Sequence, residues 1–143
     1  MKWPIVIALT LGLAGCNEQT GEADMISAIE REIRLPVGAH PLNAYARVYA
    51  YAPDNQVVAI YLIPSKPDQR LCEEEKEIEF KEKSEGASQF CPPPKGLIAG
   101  EGRWIADYTM LPGAHDGGCN YIDVQYDMKA HRFAHVACHG GVG

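Results

Sequence analysis

Apolar residues first recur at helical spacing over residues 22–34, where Met25, Ile26, Ile29 and Ile33 fall on one stripe. Glu30 and Arg34 stand as an i,i+4 pair on the same segment. Thr20 suits a cap, Glu22 and Asp24 suit a helix N-terminus, and Pro36 stops the helix. The pattern predicts an amphipathic helix that covers something. The period then changes. Segments 44–52 and 57–63 are rich in Tyr, Val and Ile and flank Pro53-Asp54-Asn55-Gln56, a turn by its chemistry. Along the first of them, Tyr45, Arg47, Tyr49 and Tyr51 project from one face, and Val48 with alanines from the other. The small-residue face suits close packing of a helix. The tyrosine face suits either a second core layer or an exposed contact surface.

Between 64 and 100 the periodicity is lost. Pro64, Pro67 and Pro92-Pro93-Pro94 punctuate this stretch, and 73–85 is a mixed-charge run containing Ile78 and Phe80. The pattern predicts a long excursion with at most a helical turn or a short strand. Alternation resumes over 102–110, 120–127 and 132–138, with a turn at 128–131. The sum is one helix and roughly five strands. Consecutive hairpins predict an antiparallel sheet with the N-terminal helix on one face, an α+β fold with one long pinned loop.

The extreme N-terminus departs from this pattern. Met1-Lys2-Trp3 is followed by an apolar run from Ile5 to Leu13, too short to span a bilayer core, which needs about twenty residues. Its length is that of a signal-peptide core. Leu13-Ala14-Gly15-Cys16 comes next and resembles the lipobox of bacterial lipoproteins. The resemblance covers residues 1–16. It implies a signal peptide over 1–15 and a lipidated Cys16 that anchors the mature chain to a membrane. It also implies a cell-envelope location; in a Gram-negative cell Asn17, rather than Asp, slightly favours an outer membrane facing the periplasm. Residues 16–24 then read as lipidated cysteine and polar tether, and 25–143 as a single globular domain close to the bilayer.

Setting Cys16 aside leaves Cys72, Cys91, Cys119 and Cys138, an even set that implies disulfides with three possible connectivities. Cys119 and Cys138 lie at the outer ends of one expected hairpin, and Cys72 and Cys91 flank the charged excursion. The favoured pairs are therefore 72–91 and 119–138. No paired CxxC spacing supports a four-cysteine zinc site.

Charge narrows the function classes. Thirteen basic and nineteen acidic residues give a net charge of −6, without any basic block, which argues against nucleic acid as a partner. His131, His135 and His139, with His115 nearby, are the metal-ligand candidates. On a strand, however, i and i+4 histidines lie about 13 Å apart, too far for one ion. Asp107, Asp123 and Asp127 read as the solvated face of strands rather than an acid–base pair. No nucleophile elbow, Ser-x-x-Lys, His-Glu-x-x-His, phosphate loop or calcium loop occurs. No cofactor is expected. The sequence thus predicts a non-catalytic envelope module that binds a protein partner as an inhibitor, immunity protein or assembly accessory. Its candidate surfaces are the face of Tyr45, Arg47, Tyr49 and Tyr51 and the acidic excursion. The competing expectation is a periplasmic metal-binding protein or enzyme using the C-terminal histidines.

Overall fold

The computed structural model describes residues 17–113 and 117–140; the lipobox and His115 lie outside them. The chain runs α1 (Asn17–Glu32), β1 (Ala46–Ala52), β2 (Gln56–Leu62), α2 (Gln69–Glu82), β3 (Gly102–Trp104), β4 (Gly118–Asp127) and β5 (Arg132–His139). The strands form one sheet in the order β3-β1-β2-β4-β5. The class is α+β. The sheet is mixed rather than antiparallel, because β3 pairs parallel to β1 while all other neighbours are antiparallel. The departure follows from connectivity. A chain that leaves β2, crosses a face through α2 and returns beside β1 can run parallel, which a tight hairpin cannot.

Two turns lock one end of the sheet. Asp54 and Asn55 take left-handed φ values of 62° and 57°, which short polar side chains tolerate, so β1 folds directly onto β2. The carbonyl of Asn55 accepts the N–H of Met128 at 3.0 Å, tying this turn to the β4–β5 turn. At the other side, β3 is much shorter than the alternation over 102–110 predicts. Asp107 caps a 3-10 turn at Tyr108–Met110, accepting the Thr109 N–H, and so bends the chain away from β1.

Each face of the sheet has its own core. Tyr45, Tyr49, Val57, Ala59, Tyr61, Ile122, Val124 and Tyr126 pack in one cluster with Ile29 of α1 and Ile33 just after it. On the reverse face Val48 and Ala50 meet Ala87 and Ile105, with Leu97, Met110 and Leu111 at the margin. The small-residue face therefore takes loop segments, not α1, and the bulky tyrosine face takes the residues of α1. Residues 17–24, expected as a tether, are the first turns of α1. Glu, Gln and Ala are good helix formers, and one glycine costs only about 1 kcal/mol when the helix continues into an apolar stripe.

The expected loop over 64–100 contains a complete second helix. Asp68 accepts the Leu71 N–H at 3.0 Å as its cap, and Lys83 closes it in a left-handed conformation. Arg70 and Glu74 pair across one turn. Disulfides join Cys72 to Cys91 and Cys119 to Cys138, the pairs favoured by their positions in the sequence.

Candidate functional site

The tyrosine face is interior, so it is not the contact surface that Tyr45, Arg47, Tyr49 and Tyr51 were expected to offer. Tyr45 and Tyr49 are fully buried and Arg47 is 6% exposed; only Tyr51, at 43%, reaches solvent. What makes this face buriable is a set of partners for every polar tip. Glu30 Oε1 accepts from Arg47 Nε at 2.6 Å and from the Tyr49 hydroxyl at 2.8 Å. Arg47 Nη1 donates to the Leu42 carbonyl at 3.1 Å, and Nη2 to the Gly100 carbonyl at 2.9 Å. The Tyr49 and Tyr61 hydroxyls lie 2.9 Å apart. Tyr49 has one proton and gives it to Glu30, so Tyr61 is the donor in that pair. Tyr45 donates to the Cys119 carbonyl at 2.6 Å.

Burial, and then the neighbouring Tyr61 and Glu30, raise the Tyr49 pKa far above its ordinary value of 10.0. Burial pushes Tyr61 up to about 12. The sign of the linkage is fixed by these raised values. The folded chain keeps phenolic protons that the unfolded chain releases, so stability is full below about pH 10 and falls as pH climbs through 12. In an absorbance titration the two phenols are expected to ionise only in step with unfolding. Y49F should remove one equivalent from that step. Smooth ionisation of all seven tyrosines of the chain before any unfolding would contradict the buried network.

The histidines are spread along the C-terminal hairpin. His131 occupies the β4–β5 turn with φ 49°, and His135 is exposed opposite Gln125. His139 Nδ1 lies 2.7 Å from Asp123 Oδ2. Among the described residues, no group of three or more His, Cys, Asp or Glu side chains is placed to hold a metal ion. The aspartates separate as well. Asp107 serves the 3-10 turn, where the Thr109 hydroxyl and N–H hold its carboxyl below the usual range. Asp127 serves the β4–β5 turn, lowered chiefly by the Ala130 N–H. Neither is tuned to hold a proton at neutral pH.

The remaining candidate is α2, which buries one side chain of its own, Cys72. Its inward face is otherwise polar: Glu75 accepts from the Ser88 hydroxyl, and Glu79 pairs with Lys95 and accepts the Gly86 N–H. Ser88 in turn accepts the N–H of Cys91 at 2.7 Å, which fixes the loop beneath the helix. Phe80 stands 86% exposed and Ile78 53% exposed. Ile78 overlooks a groove of about 210 Å³ walled by Ala87, Met110, Leu111 and Pro112. The chain has no match among family models, curated proteins or solved structures. The chemistry of the helix therefore has to be read from its own residues. Glu73, Glu74, Glu77 and Glu82 face outward, but so do Arg70, Lys76 and Lys81, so the outward charge nearly cancels. An acidic surface aimed at a basic partner is thus a poorer description than an aromatic knob in a mixed-charge ring.

Sequence periodicity missed this helix because its inward face is not an apolar stripe. Asp68 placed before a run of straight-chain Gln, Arg, Leu, Glu and Lys residues was the available signal.

Proposed function

We propose that the chain is an envelope lipoprotein, anchored through Cys16, that works as a non-catalytic binding module and presents α2 to a protein partner. The observation that carries this reading is the exposed Phe80 on a helix with little core of its own. That helix is held by a disulfide, a cap and two inward glutamates. Fixing an element in advance lowers the entropy lost on association, and a solvent-facing aromatic is a typical anchor residue for a partner's pocket. Inhibition of a hydrolase, immunity against a toxin and service in envelope assembly are all versions of this reading. The two disulfides agree with an oxidising compartment.

The test uses oxidised residues 17–143 as bait in envelope extract, beside the F80D variant. One stoichiometric partner should be retained by the native surface and lost with F80D, while fold stability moves by no more than about 0.5 kcal/mol. In cells, Cys16→Ser should leave the membrane fraction yet bind the same partner. Equal capture by F80D would overturn α2 as the docking element.

A second reading rests on the Asp123–His139 contact. A carboxylate on one imidazole nitrogen orients the ring for metal ligation or proton transfer. Metal that survives dialysis in the native chain but not in Asp123→Asn would favour this reading over the binding module.

A further inference from the structure

A line of aromatic rings crosses the tyrosine face from solvent to core. Tyr51 and Trp104 have ring centroids 4.5 Å apart, Trp104 and Tyr49 lie stacked at 6.1 Å with planes 7° apart, and Tyr49 and Tyr61 follow at 5.8 Å. These spacings are ordinary for core aromatics. What is not ordinary is the partner of one hydroxyl. Tyr45 gives its proton to a backbone carbonyl, Tyr61 to another phenol and Tyr121 to the Gln89 side-chain amide oxygen, none of which takes up a proton readily. Tyr49 alone among these four hydrogen-bonds to a carboxylate, Glu30, at 2.8 Å. That is within reach for proton transfer.

We propose that Trp104, Tyr49 and Glu30 form a one-electron oxidation site for small inorganic oxidants. Tyrosine and tryptophan are the side chains that lose a single electron most readily once thiols are excluded, and the four cysteines among the described residues are all in disulfides. A phenol gives up its electron easily only if its proton has somewhere to go. Glu30 provides that base, and the Arg47 guanidinium at 2.6 Å holds it in place. Tyr49 is sealed from solvent, so the oxidant acts first on Trp104, which is half-buried, touches exposed Tyr51 and lines a cavity of about 480 Å³ with Lys95, Arg103 and Ile105.

The steps balance. The oxidant takes one electron from Trp104 and is reduced by one electron. The Trp104 radical cation takes an electron from Tyr49, and the Tyr49 O–H proton passes to Glu30 Oε1. The products are restored Trp104, a neutral phenoxyl radical on Tyr49 and a protonated Glu30. The reacting groups Trp104, Tyr49 and Glu30 are distinct from the Phe80 surface of α2, although Lys95 at the cavity wall pairs with Glu79 of that helix.

Pulse radiolysis of the full chain with the azide radical, which oxidises tryptophan, tests the site. The native chain should show decay of the tryptophan radical matched by growth of a tyrosyl radical, at a rate independent of protein concentration. Y51F should keep this phase and Y49F should lose it. W104F, which leaves Trp3 as the only tryptophan, should lose it too. Glu30→Gln keeps an acceptor oxygen but is no base, so it should slow the phase, and deuterated solvent should slow it in the native chain. Loss of the phase in Y51F with retention in Y49F would overturn the assignment, as would indifference to both Glu30→Gln and deuterium. If Y49F fails to fold, the magnetic resonance spectrum of the Y51F radical decides: a hydrogen-bonded buried phenoxyl supports the site, and no radical refutes it.

Discussion

Arg47→Met is expected to destabilise the fold by about 3 kcal/mol. Removing one partner of a buried ion pair typically costs about 3–5 kcal/mol, because the other charge is left desolvated and uncompensated. The lower end applies because the Glu30 side chain keeps 21% of its surface in water while that of Arg47 keeps 7%. The methionine would preserve the packing of the arginine stem but take the guanidinium from the Gly100 carbonyl and leave the Leu42 carbonyl with the Tyr45 N–H alone. Gly100, whose carbonyl accepts from the guanidinium, has φ 85°, a conformation that suits glycine. Urea titration should show a lower midpoint at unchanged slope. Adding Glu30→Leu should recover part of the loss, since an apolar pair in place of a buried ion pair is often neutral. A loss below about 1 kcal/mol would mean that the pair behaves as a surface contact.

That network also marks how far the sequence could be read. The hairpin of β1 and β2 was legible to within about two residues, because alternation and a Pro-Asp-Asn turn are both local signals. The helix near Ile29 and Ile33 was legible from its stripe. The partner of that stripe was not. Glu30 reads in sequence as half of an i,i+4 pair with Arg34, whereas in three dimensions it turns inward to Arg47 and Tyr49. Nothing local distinguishes the two, since choosing between them depends on which sheet face the helix meets. Tyrosine adds to the ambiguity. Its hydroxyl permits either burial or exposure, and only the presence of an acceptor at each tip decides in favour of the core.

The same reasoning explains why β3 and α2 escaped. A parallel edge strand three residues long is defined by its neighbour, not by its own period. The α2 sequence meets the chain through glutamates and a disulfide, so its periodicity is polar on both sides. The cysteines were the exception: their even number, with Cys119 and Cys138 at the ends of one hairpin and Cys72 and Cys91 flanking the charged run, favoured the two bridges that the structure has.

Replacing Cys72 and Cys91 by serine together is expected to cost about 3 kcal/mol, and so is replacing Cys119 and Cys138, because loop entropy depends on the length closed. Both bridges span 19 residues, so the global losses should be similar. The local consequences should not. Cys119–Cys138 joins β4 to β5, which remain paired from Ile122 and Cys138 to Asp127 and Arg132 without it. Cys72–Cys91 joins a 14-residue helix to a loop, and Cys72 is the only side chain that helix buries. An isolated helix of that length is marginal in water, and Glu75 and Glu79 alone offer polar ties that water can replace. Cutting this bridge should therefore strip hydrogen-exchange protection from Gln69–Glu82 and reduce helical circular dichroism, while β4 and β5 stay protected. The Cys119 and Cys138 double variant should leave α2 protected. If partner capture depends on a preformed α2, it should fall in the Cys72 and Cys91 variant although Phe80 is still present, which separates presentation of the aromatic from its mere occurrence. Unchanged protection of α2 after loss of Cys72–Cys91 would show that the cap and the inward glutamates suffice to hold it.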